Sequence, residues 1–201
     1  MHGLVAEMPQ RDHYQYVAQR ERRIDRGCLM HEKVIYLDFD GVLHPNEAYQ
    51  NAKGRVFLRD PGKLFEHAPV LVEQLAPYPD LRIVLSTSWI RIKSYSWVCR
   101  HLPNGLRERV VGATWHSRFK RDYDETLWWR DASRHRQIKR DVQRRMPTSW
   151  LAIDDDLDGW PENEMDHVVF CDPESALGNE RTQQALFKCL KSRFGQHQDA
   201  S

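Results

Sequence analysis

Residues 34–42 of this 201-residue chain read Val-Ile-Tyr-Leu-Asp-Phe-Asp-Gly-Val. Four apolar residues run without a break and then meet two carboxylates at positions i and i+2, followed by a glycine. A short apolar run that includes β-branched residues is typical of a strand buried on both faces of a parallel sheet. We therefore predict that Asp38 and Asp40 lie at the carboxyl end of a strand, the edge where open α/β sheets bind ligands.

Two aspartates at the end of one strand are suited to binding a cation. Carboxylates two apart on an extended chain point the same way and repel each other, which favours a dication or a shared proton. Mg²⁺ prefers oxygen ligands and keeps substrate phosphate in its shell, and aspartate can itself be a nucleophile. Gly41 allows a sharp turn and a close approach of amide N–H groups to an anion. The alternative is an Asp-Gly turn without a chemical role.

Length and composition favour one soluble domain. A chain of 201 residues has enough length for one sizeable core, and 40% apolar residues with a mean hydropathy of −0.73 describe a polar but foldable protein. No run is long enough to span a membrane, and no secretory signal is visible. The four cysteines are scattered without a CxxC pair, which disfavours a disulfide framework or a zinc site. We expect a cytoplasmic protein without a membrane partner.

Apolar periodicity alternates between strands and helices along the chain. It predicts strands at 33–38, 81–86, 109–113, 150–153 and 167–171. It predicts helices at 68–76, 90–102, 131–145 and 179–192. Residues 42–60 are interpreted as a loop or a small β-hairpin, and residues 114–130 as an irregular insert. This alternation predicts an α/β fold: a doubly wound, Rossmann-like parallel sheet of about five strands with helices on both faces.

The predicted domain organisation is simple. Residues 31–195 form the folded domain, residues 1–30 are a polar, basic extension that is helical or frayed, and residues 196–201 form a disordered tail. A separate cap domain does not fit in the gap from Gly41 to Leu81, which must also supply a helix, or in the insert at 114–130. The predicted fold therefore has a minimal cap or none.

Two further polar motifs follow predicted strands. Ser86 and Thr87 come directly after Ile83-Val84-Leu85, where hydroxyl groups can donate to a phosphoryl oxygen, although turns and helix caps use the same residues. Asp154, Asp155 and Asp156 follow Leu151-Ala152-Ile153, and three adjacent carboxylates favour a nearby dication. The alternative for this acidic run is a solvated turn that caps a short helix.

These three motifs, in this order, resemble those of the haloacid dehalogenase-like (HAD) superfamily of phosphohydrolases, and of the compact HAD domains associated with RNA-repair proteins. The resemblance implies that Asp38 is the nucleophile, that Asp40 is the general acid and base, and that Ser86, or else Thr87, binds the phosphoryl group together with Gly41. It implies a Mg²⁺ site formed by Asp38, the carbonyl of Asp40, Asp154 and Asp155.

The family also places a basic residue on the helix before the acidic motif. Here that helix carries Arg134, Arg136, Lys139 and Arg140. Lys139 keeps the family's usual residue type and is predicted as the catalytic cation, whereas Arg134 lies nearer the helix start and is the alternative, assigned to substrate binding. An aspartate at position 40 favours a phosphatase over a dehalogenase, because the family's phosphate-hydrolysing members carry Asp there.

The charge distribution points to a class of substrate. Residues 91–150 contain fifteen Lys and Arg against six Asp and Glu, and all seven tryptophans lie between Trp89 and Trp160. This basic segment, 91–150, favours a nucleic-acid or nucleotide phosphate as substrate, unless it is merely a solvated helix face with tryptophans in the core. The alternatives are a non-catalytic module that binds RNA or protein, and a small-molecule phosphatase such as a nucleotidase. The sequence does not determine the oligomeric state.

Overall fold

The computed structural model describes residues 32–46, 48–58 and 62–195, so the predicted extension 1–30 and tail 196–201 lie outside the described residues. The strands are β1 (Lys33–Leu37), β2 (Ala48–Gln50), β3 (Val56–Leu58), β4 (Arg82–Leu85), β5 (Val110–Ala113), β6 (Ser149–Asp154) and β7 (Val168–Phe170). The α-helices are α1 (Ala68–Leu75), α2 (Trp89–Ile92), α3 (Tyr95–His101), α4 (Asn104–Arg107), α5 (Tyr123–Asp131), α6 (Arg134–Arg145) and α7 (Glu180–Phe194). Short 3-10 helices cover Ser117–Arg121, Glu162–His167 and Ala176–Gly178.

The main sheet has five parallel strands in the order β5-β4-β1-β6-β7. From the central strand β1 the chain moves outward to β4 and β5, and then returns to the other side of β1 for β6 and β7. The predicted doubly wound α/β sheet is therefore confirmed. The reversal of direction lies beside β1, which is where folds of this kind bind ligands.

Alternate residues of β1 pack on opposite faces of the sheet. Ile35 and Leu37 belong to the larger core cluster, which also contains the buried apolar residues of α1 and α7. Val34 and Tyr36 belong to a second cluster, which contains Ile138 of α6. Because both faces of β1 are covered, an uninterrupted apolar run is the sequence that this strand requires.

The predicted small hairpin between the first strand and the first helix is confirmed: β2 and β3 pair antiparallel. Within the described part of the chain, no helix combines the length and the apolar composition needed to cross a bilayer.

Two local predictions were wrong. The helix expected at 90–102 is divided into α2 and α3, because Lys93 is extended and the Ser94 side chain starts a new helix by accepting the N–H of Trp97. The insert expected to be irregular contains α5, which begins where Asp122 accepts the N–H of Glu125. Trp129 of α5 is buried and stacks on the ring of Phe119, so packing orders a segment that has little apolar periodicity.

Candidate active site

The register of the three central strands brings polar residues into one row at the carboxyl edge. The last paired residue of β1, Leu37, lies opposite Leu85 of β4 and Ile153 of β6. The next residue of each strand is polar: Asp38, Ser86 and Asp154. Backbone hydrogen bonds continue into this row, since Asp38 donates to the Ile153 carbonyl at 3.1 Å and Ser86 donates to the Leu37 carbonyl at 2.8 Å.

Three carboxylates converge at this edge. One oxygen from each of Asp38, Asp154 and Asp155 lies within 4.8 Å of the other two, and we call these three residues the acidic cluster. Asp38 and Asp154 are buried, with 4% and 0% of their surface exposed, and Asp155 is partly buried. Like charges held this closely away from water are unfavourable without a cation.

Arg134, the first residue of α6, supplies one cation to the acidic cluster. Its Nη2 donates to Asp38 Oδ2 at 2.7 Å, and its Nε lies 3.2 Å from Asp154 Oδ2. The second contact is within ion-pair distance but is not aligned as a hydrogen bond, so Asp154 Oδ2 is a buried acceptor that has no hydrogen-bond donor among the described residues.

Lys139 does not contact the acidic cluster. Its ammonium pairs with Glu164 at 2.9 Å and lies over the ring of Trp150, near the opposite end of β6. It lies five positions after Arg134 in the sequence, which corresponds to about 7.5 Å along a helix axis. The contacts therefore favour Arg134, the alternative in the sequence analysis, over Lys139 for the basic position of the site.

Burial is the largest cause of the raised pKa values in the acidic cluster. It raises the pKa of Asp38, and the Arg134 guanidinium opposes that rise. Burial and the neighbouring Asp38 carboxylate raise the pKa of Asp154 well above its ordinary value and the pKa of Asp155 to about 6. One arginine thus offsets only part of the repulsion among three carboxylates.

The carboxylate of Asp40 is held apart from the acidic cluster by three groups. The indole Nε1 of Trp89 donates to Oδ2 at 2.8 Å, the Ala48 N–H donates to Oδ1 at 2.9 Å, and His44 Nε2 lies 3.2 Å from Oδ1. The Asp40 carboxylate is therefore not a member of the acidic cluster, because β1 ends at Leu37 and the chain turns after Asp38. It remains near enough to Asp38 to raise the pKa of that carboxyl.

Gly41 provides space rather than an anion-binding amide. It has a positive φ of 65°, and its N–H donates to the Asn46 carbonyl at 3.2 Å. A Cβ at this position would overlap the carboxylate of Asp155 and lie 2.6 Å from its Cγ. The glycine of the motif thus allows Asp155 to reach the acidic cluster.

Both hydroxyl residues after β4 are buried. Ser86 is fully buried, and its Oγ has no hydrogen-bond partner among the described residues. Thr87 is 4% exposed and lies near enough to Asp38 for its hydroxyl to lower the pKa of that carboxyl, against the effect of burial. Ser86 thus has an unused hydroxyl for a ligand, and Thr87 supports Asp38.

The donors at this edge fit a hard dication such as Mg²⁺. Three carboxylates converge, and one buried oxygen, Asp154 Oδ2, has no hydrogen-bond donor in the described part of the chain. Oxygen-only donor sets of this kind are the ones that Mg²⁺ prefers. No second convergence of three or more acidic, histidine or cysteine side chains occurs within residues 32–46, 48–58 and 62–195.

Two residues at the site were not identified from the sequence as partners of Asp40. They are Trp89 and His44. His44 is fully buried and lies four residues after Asp40. The spacing of four residues can indicate a contact between His44 and Asp40 when the chain turns after the first aspartate. The contact between Trp89 and Asp40 depends on the tertiary fold.

One family model matches the chain. It is described as the HAD domain in Swiss Army Knife RNA repair proteins, and it matches residues 34–182, which include every residue of the acidic cluster and Arg134. No curated protein and no solved structure matches the chain.

Proposed function

Since the chain belongs to the family of HAD domains in Swiss Army Knife RNA repair proteins, we propose that it is a Mg²⁺-dependent phosphatase that works through an aspartyl-phosphate on Asp38. The observation that carries this proposal is the convergence of the acidic cluster within 4.8 Å beside Arg134. A non-catalytic binding module has no need to bring together three carboxylates that repel one another, two of them buried, so this arrangement favours an enzyme.

Asp38 is the nucleophile in this proposal. Its Oδ1 accepts the Phe39 N–H at 2.7 Å and its Oδ2 accepts from Arg134, so the carboxylate is held in one orientation. An oxygen of Asp38 forms a bond to phosphorus in line with the ester oxygen, whose bond to phosphorus breaks. A water molecule then attacks phosphorus, releases inorganic phosphate and restores the carboxylate.

Asp40 is the general acid and base. It gives a proton to the leaving ester oxygen and later takes one from the attacking water. The donors from Trp89 and Ala48 fix its orientation, and each carboxylate oxygen keeps further acceptor capacity for a proton. Fixed orientation matters because proton transfer requires hydrogen-bond distance to the reacting oxygen.

Asp38, Asp154 and Asp155, with the carbonyl of Asp40, are the groups that would hold Mg²⁺. The ion supplies positive charge that offsets the repulsion between an anionic nucleophile and an anionic phosphoryl group. Arg134 adds a permanent cation on the side of α6, and the unused hydroxyl of Ser86 is available to donate to a phosphoryl oxygen.

The proposed substrate carries its phosphate on a nucleic acid or a nucleotide. Between β1 and β4, the only described strands are the three-residue β2 and β3, so the described part of this segment contains no separate cap domain. An open edge admits the end of a polymer as well as a small ester. The family's description as a domain of RNA repair proteins supports this substrate class.

The test measures Mg²⁺-dependent phosphate release from an aryl phosphate, from mononucleotides, and from oligonucleotides with a 3′- or 5′-phosphate. Asp38→Asn should abolish release, and acid-quenched wild-type protein should show a phosphorylated species by intact mass. The matched control is Asp158→Asn, an exposed carboxylate two residues after the acidic run, which should retain activity. Release that persists in folded Asp38→Asn, or no release by wild type from any ester, contradicts the proposal.

A further inference from the structure

A groove runs along α2 and the Ser117–Arg121 helix. It consists of two adjoining cavities of about 720 and 460 Å³. Both cavities are lined by Arg91, Ile92, Trp115 and Lys120. The larger one also reaches Lys93 and Tyr95, and we call these six residues with the surface between them the cationic groove.

Among the described residues, no aspartate or glutamate lines either cavity of the cationic groove. Its cations contact neutral groups: Arg91 donates to the Trp129 carbonyl, Lys93 to the Gly54 carbonyl, and Lys120 to the Arg91 carbonyl. Within the described part of the chain, none of the three cations is within ion-pair distance of a carboxylate. Their charge is therefore available to an anionic ligand.

The basic helix α6 differs in this respect. Arg134 pairs with the acidic cluster, Lys139 with Glu164, and Arg140 with Glu125. The cavity beside α6 is also lined by Asp122, Asp124 and Glu125. Carboxylates therefore compensate most of the positive charge on α6. In the cationic groove, the positive charge has no carboxylate partner among the described residues.

The cationic groove begins next to the proposed phosphatase site. Ser88 lines its smaller cavity and follows Thr87 directly, so their Cα atoms are about 3.8 Å apart. Trp89, the next residue, donates to Asp40. The cationic groove therefore borders the segment that contains Thr87 and Trp89, the residues that support Asp38 and Asp40.

The residues along one wall alternate between charge and apolar surface. Arg91 and Lys93 flank Ile92, which is 67% exposed, and Tyr95 is 40% exposed. Single-stranded nucleic acid presents a phosphate and an apolar base face in every unit, and proteins bind it with cations beside aromatic or apolar side chains. A phosphopeptide lacks this repetition of charge.

We infer that the cationic groove binds the single-stranded segment of a nucleic acid whose terminal phosphate is presented to Asp38. The location of the terminal phosphate rests on the proposed function, whereas binding of the strand to the groove does not. The strand lies along Arg91, Lys93 and Lys120, with base faces against Ile92 and Tyr95.

The binding test uses the Asp38→Asn protein, which excludes turnover, and a labelled single-stranded RNA decamer followed by fluorescence anisotropy over a range of salt concentrations. Lys93→Glu with Lys120→Glu should weaken binding and reduce the salt slope by about 0.7 for each phosphate that the protein no longer neutralises. Lys188→Glu with Lys191→Glu, the same charge changes on α7, is the matched control and should bind like the parent.

A DNA decamer and a phosphopeptide form the other arms. If the groove variant weakens the binding of RNA and DNA equally, the groove binds either nucleic acid. If it weakens only the binding of RNA, the groove is specific for RNA. The inference is overturned if the groove variant binds the decamers as tightly as the parent does. It is also overturned if the groove variant weakens only the binding of the phosphopeptide.

Turnover distinguishes a failure of this inference from a failure of the proposed function. In the Asp38-containing protein, the groove variant should lower kcat/KM for a phosphorylated decamer more than kcat/KM for an aryl phosphate, by about ten-fold or more. An unchanged ratio overturns the inference while the phosphatase proposal stands. A wild-type protein that binds the decamer through the groove but releases no phosphate overturns the phosphatase proposal alone.

Discussion

The carboxylate of Asp155 packs directly against the backbone of Gly41, so that the third member of the acidic cluster reaches Asp38 only because residue 41 has no side chain. Two segments more than one hundred residues apart in the chain depend on each other here. A substitution at position 41 should therefore alter the proposed metal site as well as the turn.

Gly41→Ala should weaken Mg²⁺ binding and lower phosphate release at least ten-fold. The positive φ of residue 41 costs an alanine about 1–2 kcal/mol, and the added Cβ displaces Asp155. The control is Gly54→Ala, where φ is 79° but the nearest atoms to a Cβ lie 3.5 Å and 3.8 Å away. Calorimetric Mg²⁺ titration of both variants checks this, and equal affinities would contradict it.

Arg134 and Lys139 can be compared by substitution. Arg134→Ala leaves the buried Asp38 and Asp154 without their cation, which should abolish activity and cost about 3–5 kcal/mol of stability. Arg134→Lys keeps a charge without the two-pronged geometry and should fold with reduced kcat. Lys139→Ala removes a partly exposed pair with Glu164, costs at most about 1 kcal/mol, and should retain activity.

These three variants are ranked by kcat and by the midpoint of urea unfolding. If Lys139→Ala loses activity as severely as Arg134→Lys while remaining folded, the basic position belongs to Lys139.

Asp155→Asn should stabilise the metal-free protein and remove its response to Mg²⁺. The Asp38 carboxylate and burial both oppose a charge on Asp155, so neutralising it relieves repulsion of about 1 kcal/mol, or about 2–4 °C in Tm. Thermal unfolding with and without Mg²⁺ checks both effects. Asp158→Asn, an exposed position, serves as the control, and a Mg²⁺-dependent rise in Tm that survives in Asp155→Asn contradicts the metal site.

Trp89→Phe should lower kcat by about 10- to 100-fold with little loss of stability. The phenyl ring keeps most of the packing of Trp89 against Phe39 and Phe65 but has no donor for Asp40, and a hydrogen bond to a charged group contributes about 1.5–3 kcal/mol. Trp97→Phe, which removes a neighbouring indole not bonded to Asp40, is the control. Equal kcat values for the two variants would show that Asp40 does not depend on this donor.

The stability of the protein should fall as the pH drops below about 6.5, in part through His167. Burial and then the Arg193 guanidinium lower the pKa of His167 in the folded protein. The unfolded chain therefore binds more protons in this range, and the stability present above the unfolded pKa is lost as the pH falls toward the folded pKa. His167→Gln should flatten the change in Tm between pH 7 and pH 5.

His101→Gln, which likewise removes an imidazole stacked on an indole, controls for the loss of ring packing. A slope in His167→Gln equal to that of wild type would assign the pH dependence to other groups.

The sequence by itself determined the sheet and the location of the site. Uninterrupted apolar runs ending in Asp38, Ser86 and Asp154 predict parallel strands, because a strand buried on both faces tolerates no polar residue before its end. Local periodicity and chain direction carry this information, since parallel strands end at one edge. The resemblance to the HAD motifs then implied that Asp38, Asp154 and Asp155 form one metal site.

Only the tertiary structure decided which side chains complete the site. Arg134 and Lys139 lie on the same helix, and the rotation and depth of α6 against β6 place the first at the acidic cluster and the second at Glu164. Likewise the fold brings Trp89 to Asp40 and leaves the cations of the cationic groove without carboxylate partners among the described residues. Such pairings depend on the packing of elements distant in the chain, which residue type and local spacing do not specify.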